Sequence, residues 1–172
     1  MIAIINASPL IFLGKIGVLR LLPKLFDVCL TTCIVKEEVL KPKNVPEYLI
    51  LEESFSEWLK VQEPLNHVLR KKLVLLELHE GEASVIALAK ELQEKGEKNV
   101  VIIDDLAARE IARTLSLQVT GTIGIILKTL HNKLISKLEA KNSLKVLIEE
   151  TSFRISAVLY IKVLKEIDQY ND

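Results

Sequence analysis

Cysteine is nearly absent from this chain of 172 residues, with only Cys29 and Cys33. Two thiols cannot complete a structural zinc site, and a cytosolic chain does not ordinarily bridge them, so apolar packing is expected of both. Glycine is scarce at six residues, and none stands in the six-residue phosphate-binding fingerprint, which argues against a nucleotide cofactor. The three histidines, His67, His79 and His131, form no triad and no zinc spacing. Charge of one sign is missing too. Lys+Arg and Asp+Glu both number 23, so no global basic field advertises nucleic acid and only a site-local grip on it remains arguable. The start, Met1 to Gly14, has no basic leader region and falls short of the ~20 residues that span a bilayer. A cytoplasmic protein that meets no membrane is the expectation.

What is plentiful is apolar mass, 49% of the residues at a mean hydropathy of +0.29. That content suits a core of ordinary size and a dimer face besides. The whole chain, 1–172, reads as a single domain without a linker, α/β in class, with a central, mostly parallel sheet of about five strands flanked by helices.

The stretch VVIIDDLAARE carries the most chemistry. Val100 to Ile103 reads as a strand buried on both faces, followed by Ala108, Ile111, Ala112 and Leu115 at helical spacing. Asp104 and Asp105 therefore sit where a parallel sheet presents its ligands, beyond the carboxyl end of a strand. One of the two is expected to cap the helix. A second strand, Ile2 to Ile5, ends at Asn6, with Ser8 and Pro9 placed to start a helix. A third, Val28 to Leu30, precedes a helix capped by Thr31 or Thr32 and running to about Leu40, which carries Glu38 on the side of Ile34 and Val35. Trp58 to Val61 and Gln118 to Val119 complete the strands.

Glu82 interrupts an apolar stripe of Leu78, Val85, Ala89 and Leu92. An unpaired charge buried there would cost several kcal/mol, so the residue is protonated, paired, bound to a metal, or close enough to the helix start to meet the dipole and water. Later in the chain, Ser136 to Glu139 is a capping box, Ser156 caps another helix, and the C-terminus is helical. In TGTIG, Thr120 to Gly124, Thr120 or Thr122 can cap a helix whose first N–H groups would face a phosphate.

In order and spacing, INASPLIFLGKIG, CIVKEEV, LHEGEASVIALA, IIDDLAARE, LQVTGTIGIIL and the late FRIS resemble the PIN-domain family across nearly the whole chain. That family comprises metal-dependent ribonucleases and includes the toxin halves of prokaryotic toxin/antitoxin pairs. The resemblance implies a Mg²⁺- or Mn²⁺-dependent endoribonuclease acting on single-stranded or structured RNA, with a small antitoxin protein as partner, while the apolar content and the long helical tail lead to the expectation of a homodimer. It carries the metal-ligand positions onto Asn6, Glu38, Glu82, Asp104 and Asp105, the catalytic role onto Glu38, Glu82 and Asp105, and substrate-phosphate contacts onto Ser8, Thr120 and Thr122. Asn6 departs from the pattern, because the family places an Asp at the end of the first strand. An amide oxygen still ligates a hard cation but removes one negative charge, so metal affinity should fall. The alternative implied is a catalytically weak PIN fold that binds RNA or a protein.

Overall fold

Short runs of β-branched and apolar residues make every strand, and polar or capping residues end them. The computed structural model describes residues 1–170; Asn171 and Asp172, the end of the expected domain, lie outside the described residues. In chain order the elements are β1 (Ile2–Ile5), α1 (Ala7–Lys15), α2 (Leu22–Leu25), β2 (Val28–Thr31), α3 (Cys33–Leu40), α4 (Tyr48–Glu57), β3 (Leu59–Val61) and α5 (His67–Leu75). After them come α6 (Glu80–Glu94), β4 (Asn99–Ile102), α7 (Leu106–Thr114), β5 (Val119–Thr120), α8 (Thr122–His131), α9 (Lys137–Glu149) and α10 (Ala157–Gln169).

The five strands form one all-parallel sheet in the order β3-β2-β1-β4-β5. β1 is central, with Ile4 facing Leu30 on one side and Val101 on the other. Ala3, Ile4 and Ile5 are fully buried, as the double cover of a parallel sheet requires. The chain winds outward from β1 in both directions, so the crevice between the carboxyl ends of β1 and β4 is the topological switch point. A second apolar cluster, including Ile126, Leu130, Leu144, Leu147, Val163 and Ile167, packs α8, α9 and α10 together beside the sheet.

Several boundaries differ from the sequence expectation, each for a local reason. α1 begins at Ala7 with Asn6 at its N-cap position, so Ser8 lies in the first turn and is exposed. Leu78 precedes α6 instead of belonging to its stripe, which puts Glu82 in the first turn of that helix. Gly121 is the N-cap of α8, displacing Thr120 and Thr122, because another side chain supplies the acceptor. The helix α5 has no counterpart in the sequence reading; it buries only Leu73 and is held at its start by Asn66, whose side chain accepts from the Leu69 N–H. The capping box at Ser136 and the cap at Ser156 are both present.

Candidate active site

The crevice is built around the end of β1. The Asn6 N–H donates to the Ile102 carbonyl at 3.0 Å, which ties the strand end to β4, and the residue is only 5% exposed. Its Oδ1 is buried and has no hydrogen-bond partner. An acceptor left so costs about 1–3 kcal/mol, which a donor or a cation would recover. Across from it, in the first turn of α6, stands Gly81. A Cβ placed there would lie 3.4 Å from Asn6 Oδ1 and 3.4 Å from Glu38 Oε2, so two oxygens from β1 and α3 face one gap that a glycine keeps open. Three buried hydroxyl contacts hold the walls of this gap. Thr31 Oγ1 donates to the Ile5 carbonyl at 2.7 Å, the Thr32 and Ser84 hydroxyls pair at 2.7 Å, and Ser84 Oγ donates to the Gly81 carbonyl at 2.8 Å.

Glu82 and Asp105 approach the same crevice from two helix starts. Glu82 Oε2 accepts the His79 N–H at 3.0 Å, capping α6 from within its first turn. Burial pushes its carboxyl above the usual range, and the negative charges of Asp105 and Glu38 push the same way, partly offset by the His79 N–H. Asp105 Oδ1 accepts the Ala108 N–H at 2.8 Å as the N-cap of α7. Glu82, which caps α6, thus feels the charges of both Glu38 and the α7 cap Asp105.

Asp104 turns toward α8. Its Oδ1 accepts the Thr122 N–H at 2.8 Å and its Oδ2 the Thr122 hydroxyl at 2.6 Å. Burial raises its pKa, and the Thr122 bonds and the Arg109 guanidinium lower it in part. Both Thr122 donors are therefore spent on Asp104. Thr120 Oγ1 fills the space a Cβ on Gly124 would need, and Ser8 is exposed on α1. Two residues went unnoticed in the sequence, Gly81 and Arg109; the glycine between two glutamates in HEGE was the one visible signal.

The side chains of Asn6, Glu38, Glu82 and Asp105 offer hard oxygens, the donor type that suits Mg²⁺ or Mn²⁺. Among the described residues no three Asp, Glu, His or Cys side chains close on one metal-sized point, and Asp104, Asp105 and Glu82 each commit an oxygen to a helix start. Mg²⁺ keeps several waters and needs only one or two carboxylates, so the orphaned Asn6 Oδ1 and the open gap at Gly81 still fit a hydrated divalent cation.

A family model described as the PIN domain matches residues 2–169. The chain belongs to the PIN-domain family. No curated protein sequence matches it significantly. Membership in the PIN family points to nuclease chemistry, to a divalent cation and to RNA as the general class of substrate. Among the described residues, no helix of this PIN domain is long and apolar enough to cross a membrane.

Proposed function

We propose that this PIN domain is a Mg²⁺- or Mn²⁺-dependent endoribonuclease working in the cytoplasm, with the crevice at the switch point as its active site. The observation that carries the reading is the buried, unpartnered Asn6 Oδ1 sharing a gap with Glu38 Oε2 across Gly81. Asn6 and Glu38 would hold the cation, with Glu82 and Asp105 completing the negative field around it. A bound divalent cation supplies Lewis-acid polarisation of a phosphodiester and a more acidic water. The chain supplies the rest. Glu82 Oε2 is held by the His79 N–H, which leaves Oε1 as the oxygen that would accept a proton from the attacking water. Asp105, held at the N-cap of α7, sets a fixed charge beside it. Asp104 positions the start of α8 instead of touching the reacting atoms.

The test is cleavage of an end-labelled single-stranded RNA in millimolar Mn²⁺. Internal cuts that vanish with a chelator and with Asp105→Asn support the reading, since Asn still caps a helix. Cleavage that survives both would overturn it.

The second reading is a catalytically weak PIN fold that binds RNA or a protein, favoured by the amide at Asn6 and by the absence of a closed carboxylate triad among the described residues. The role of toxin, with a small antitoxin as partner, rests on the family alone. A homodimer is supported by apolar side chains left in water on two helices, Val68 and Leu75 on α5 and Val158 and Ile161 on α10, each more than half exposed.

A further inference from the structure

A second concavity, of about 470 Å³, opens beside the acidic crevice between α7, the start of α8 and α10. Four cations line it, Arg109 and Arg113 from α7, Arg154 from the segment before α10 and Lys162 from α10 itself. The chain carries no net charge, so this gathering from three segments is local and is not a consequence of composition. The acids that line it are Asp104, whose two oxygens are already bonded to Thr122, and Glu166, which leans toward His131 at 3.6 Å. Arg113 is paired with Glu110. No carboxylate of the described residues lies within 4.0 Å of a side-chain nitrogen of Arg109, Arg154 or Lys162. Arg154 places one guanidinium nitrogen, Nη1, on the carbonyls of Thr151 and Phe153, at 3.3 Å and 3.0 Å, which anchors the group while Nε and Nη2 remain for a ligand.

Between the cations the lining is apolar, with Ile123 and Leu127 of α8 and the ring of Phe153, itself held edge-on to Phe12 at 5.2 Å. Cations around an apolar floor match a nucleotide, which carries a phosphate at one end and a flat base at the other. The volume lies in the range of clefts that hold small organic ligands. Gly121 closes the wall nearest the crevice: a Cβ there would stand 2.6 Å from both Arg109 Nη1 and Asp104 Oδ1, and Asp104 adjoins Asp105 in the chain. The concavity therefore adjoins the acidic site, within reach of a strand laid across it.

We propose that the concavity between α7, α8 and α10 is a nucleotide subsite. It holds the residue of single-stranded RNA adjoining the cleaved phosphodiester, its phosphate on Arg154 and Lys162 and its base on the Ile123–Leu127 floor. The proposal rests on the nuclease reading and names the part of the substrate that lies outside the reacting centre.

The experiment is fluorescence anisotropy of a labelled ten-nucleotide single-stranded RNA with the full chain, in chelator, across a salt series. Arg154→Ala and Lys162→Ala should each weaken binding about tenfold, the loss expected for a charge-assisted contact. Each should also flatten the slope of log affinity against log salt by about 0.7, the share of one single-strand phosphate. Lys24→Ala, in α2 at the amino end of the sheet, should leave both unchanged. Arg154 and Lys162 are exposed, so an unaltered melting temperature separates a lost contact from a lost fold. Unchanged affinity and slope in both variants overturn the subsite while leaving the nuclease reading intact. Binding that depends on Arg154 and Lys162 without any Mn²⁺-dependent cleavage supports the subsite and defeats the nuclease reading. Wild-type protein that binds no RNA in chelator overturns the subsite, while the nuclease reading is decided by the Mn²⁺ cleavage assay. Displacement of the RNA by an oligoglutamate of equal charge, at equal concentration, also overturns the subsite, because the concavity would then be reading charge alone.

Discussion

Asp104 and Thr122 are joined twice, the carboxylate accepting the backbone N–H through Oδ1 at 2.8 Å and the hydroxyl through Oδ2 at 2.6 Å. The pair fastens the end of β4 to the start of α8, and through α8 to the second apolar cluster. Thr122→Val keeps the shape of this fully buried side chain and removes one bond to a charged acceptor. The expected cost is about 1.5–3 kcal/mol by urea unfolding. A loss below the error of that measurement would show that Asp104 does not hold α8.

Two glycines at the crevice should respond oppositely to the same methyl group. At Gly81 an added Cβ meets Asn6 and Glu38 at 3.4 Å, ordinary contact, so Gly81→Ala should fold and gain up to about 1 kcal/mol from helix propensity. Its methyl would fill the gap between the two oxygens, and the thermal shift caused by millimolar Mn²⁺ should shrink. At Gly121 the Cβ meets Asp104 Oδ1 at 2.6 Å, and Gly121→Ala should lower the melting temperature with or without metal. A full Mn²⁺ shift in Gly81→Ala would remove the gap from the proposed metal site.

Glu82 makes stability depend on pH in a direction that its environment fixes. Burial first, and then Asp105 and Glu38, raise its pKa above the ordinary 4.5. The folded protein thus keeps this proton to higher pH than the unfolded chain does. The associated stability is fully present below about pH 4.5 and is lost as pH rises through the folded value. Glu82→Gln keeps an oxygen for the His79 N–H while removing the charge. Melting scans should find the variant as stable as wild type or more so at pH 7, with the difference closing near pH 4. A variant destabilised at pH 7 but not near pH 4 would show that the charge itself is needed for the cap.

Asn6→Asp restores the carboxylate that the PIN pattern places at the end of the first strand. If the missing charge limits the site, the variant should bind Mn²⁺ about tenfold more tightly by calorimetry and raise any cleavage of single-stranded RNA. A wild type that is silent and a variant that cuts would favour the second reading of this chain as a weakened nuclease. Unchanged Mn²⁺ binding would mean that Asn6 Oδ1 does not face the cation.

The exposed apolar side chains of α5 and α10 should be covered in solution by a second copy of the chain. Light scattering at high micromolar concentration should give twice the mass of one chain. Changing Val68 and Leu75 to Asp, or Val158 and Ile161 to Asp, should show which helix is responsible by returning the protein to a monomer. One mass at all concentrations would dismiss the dimer.

The sequence by itself determined the elements whose signals are local. β-branched runs such as Val100–Ile102 and capping residues such as Ser136 and Ser156 act over a few positions of the chain, so their strands and helix starts are readable without a fold. The order and spacing of the acidic segments likewise carried the resemblance to the PIN family. Helix α5 was illegible because it buries one side chain, Leu73, and so leaves almost no apolar period to read. Only the tertiary structure decided how the carboxylates divide their work. Asp104 and Asp105 are neighbours with the same chemistry, yet one faces Thr122, eighteen residues away, and the other Ala108 in its own helix. The same holds for Gly81, whose missing side chain matters only because Asn6 and Glu38 arrive beside it from β1 and α3. A capping bond is set by residues three apart, whereas the gap at Gly81 and the four cations around the second concavity exist only once the parallel sheet has brought distant segments to one edge.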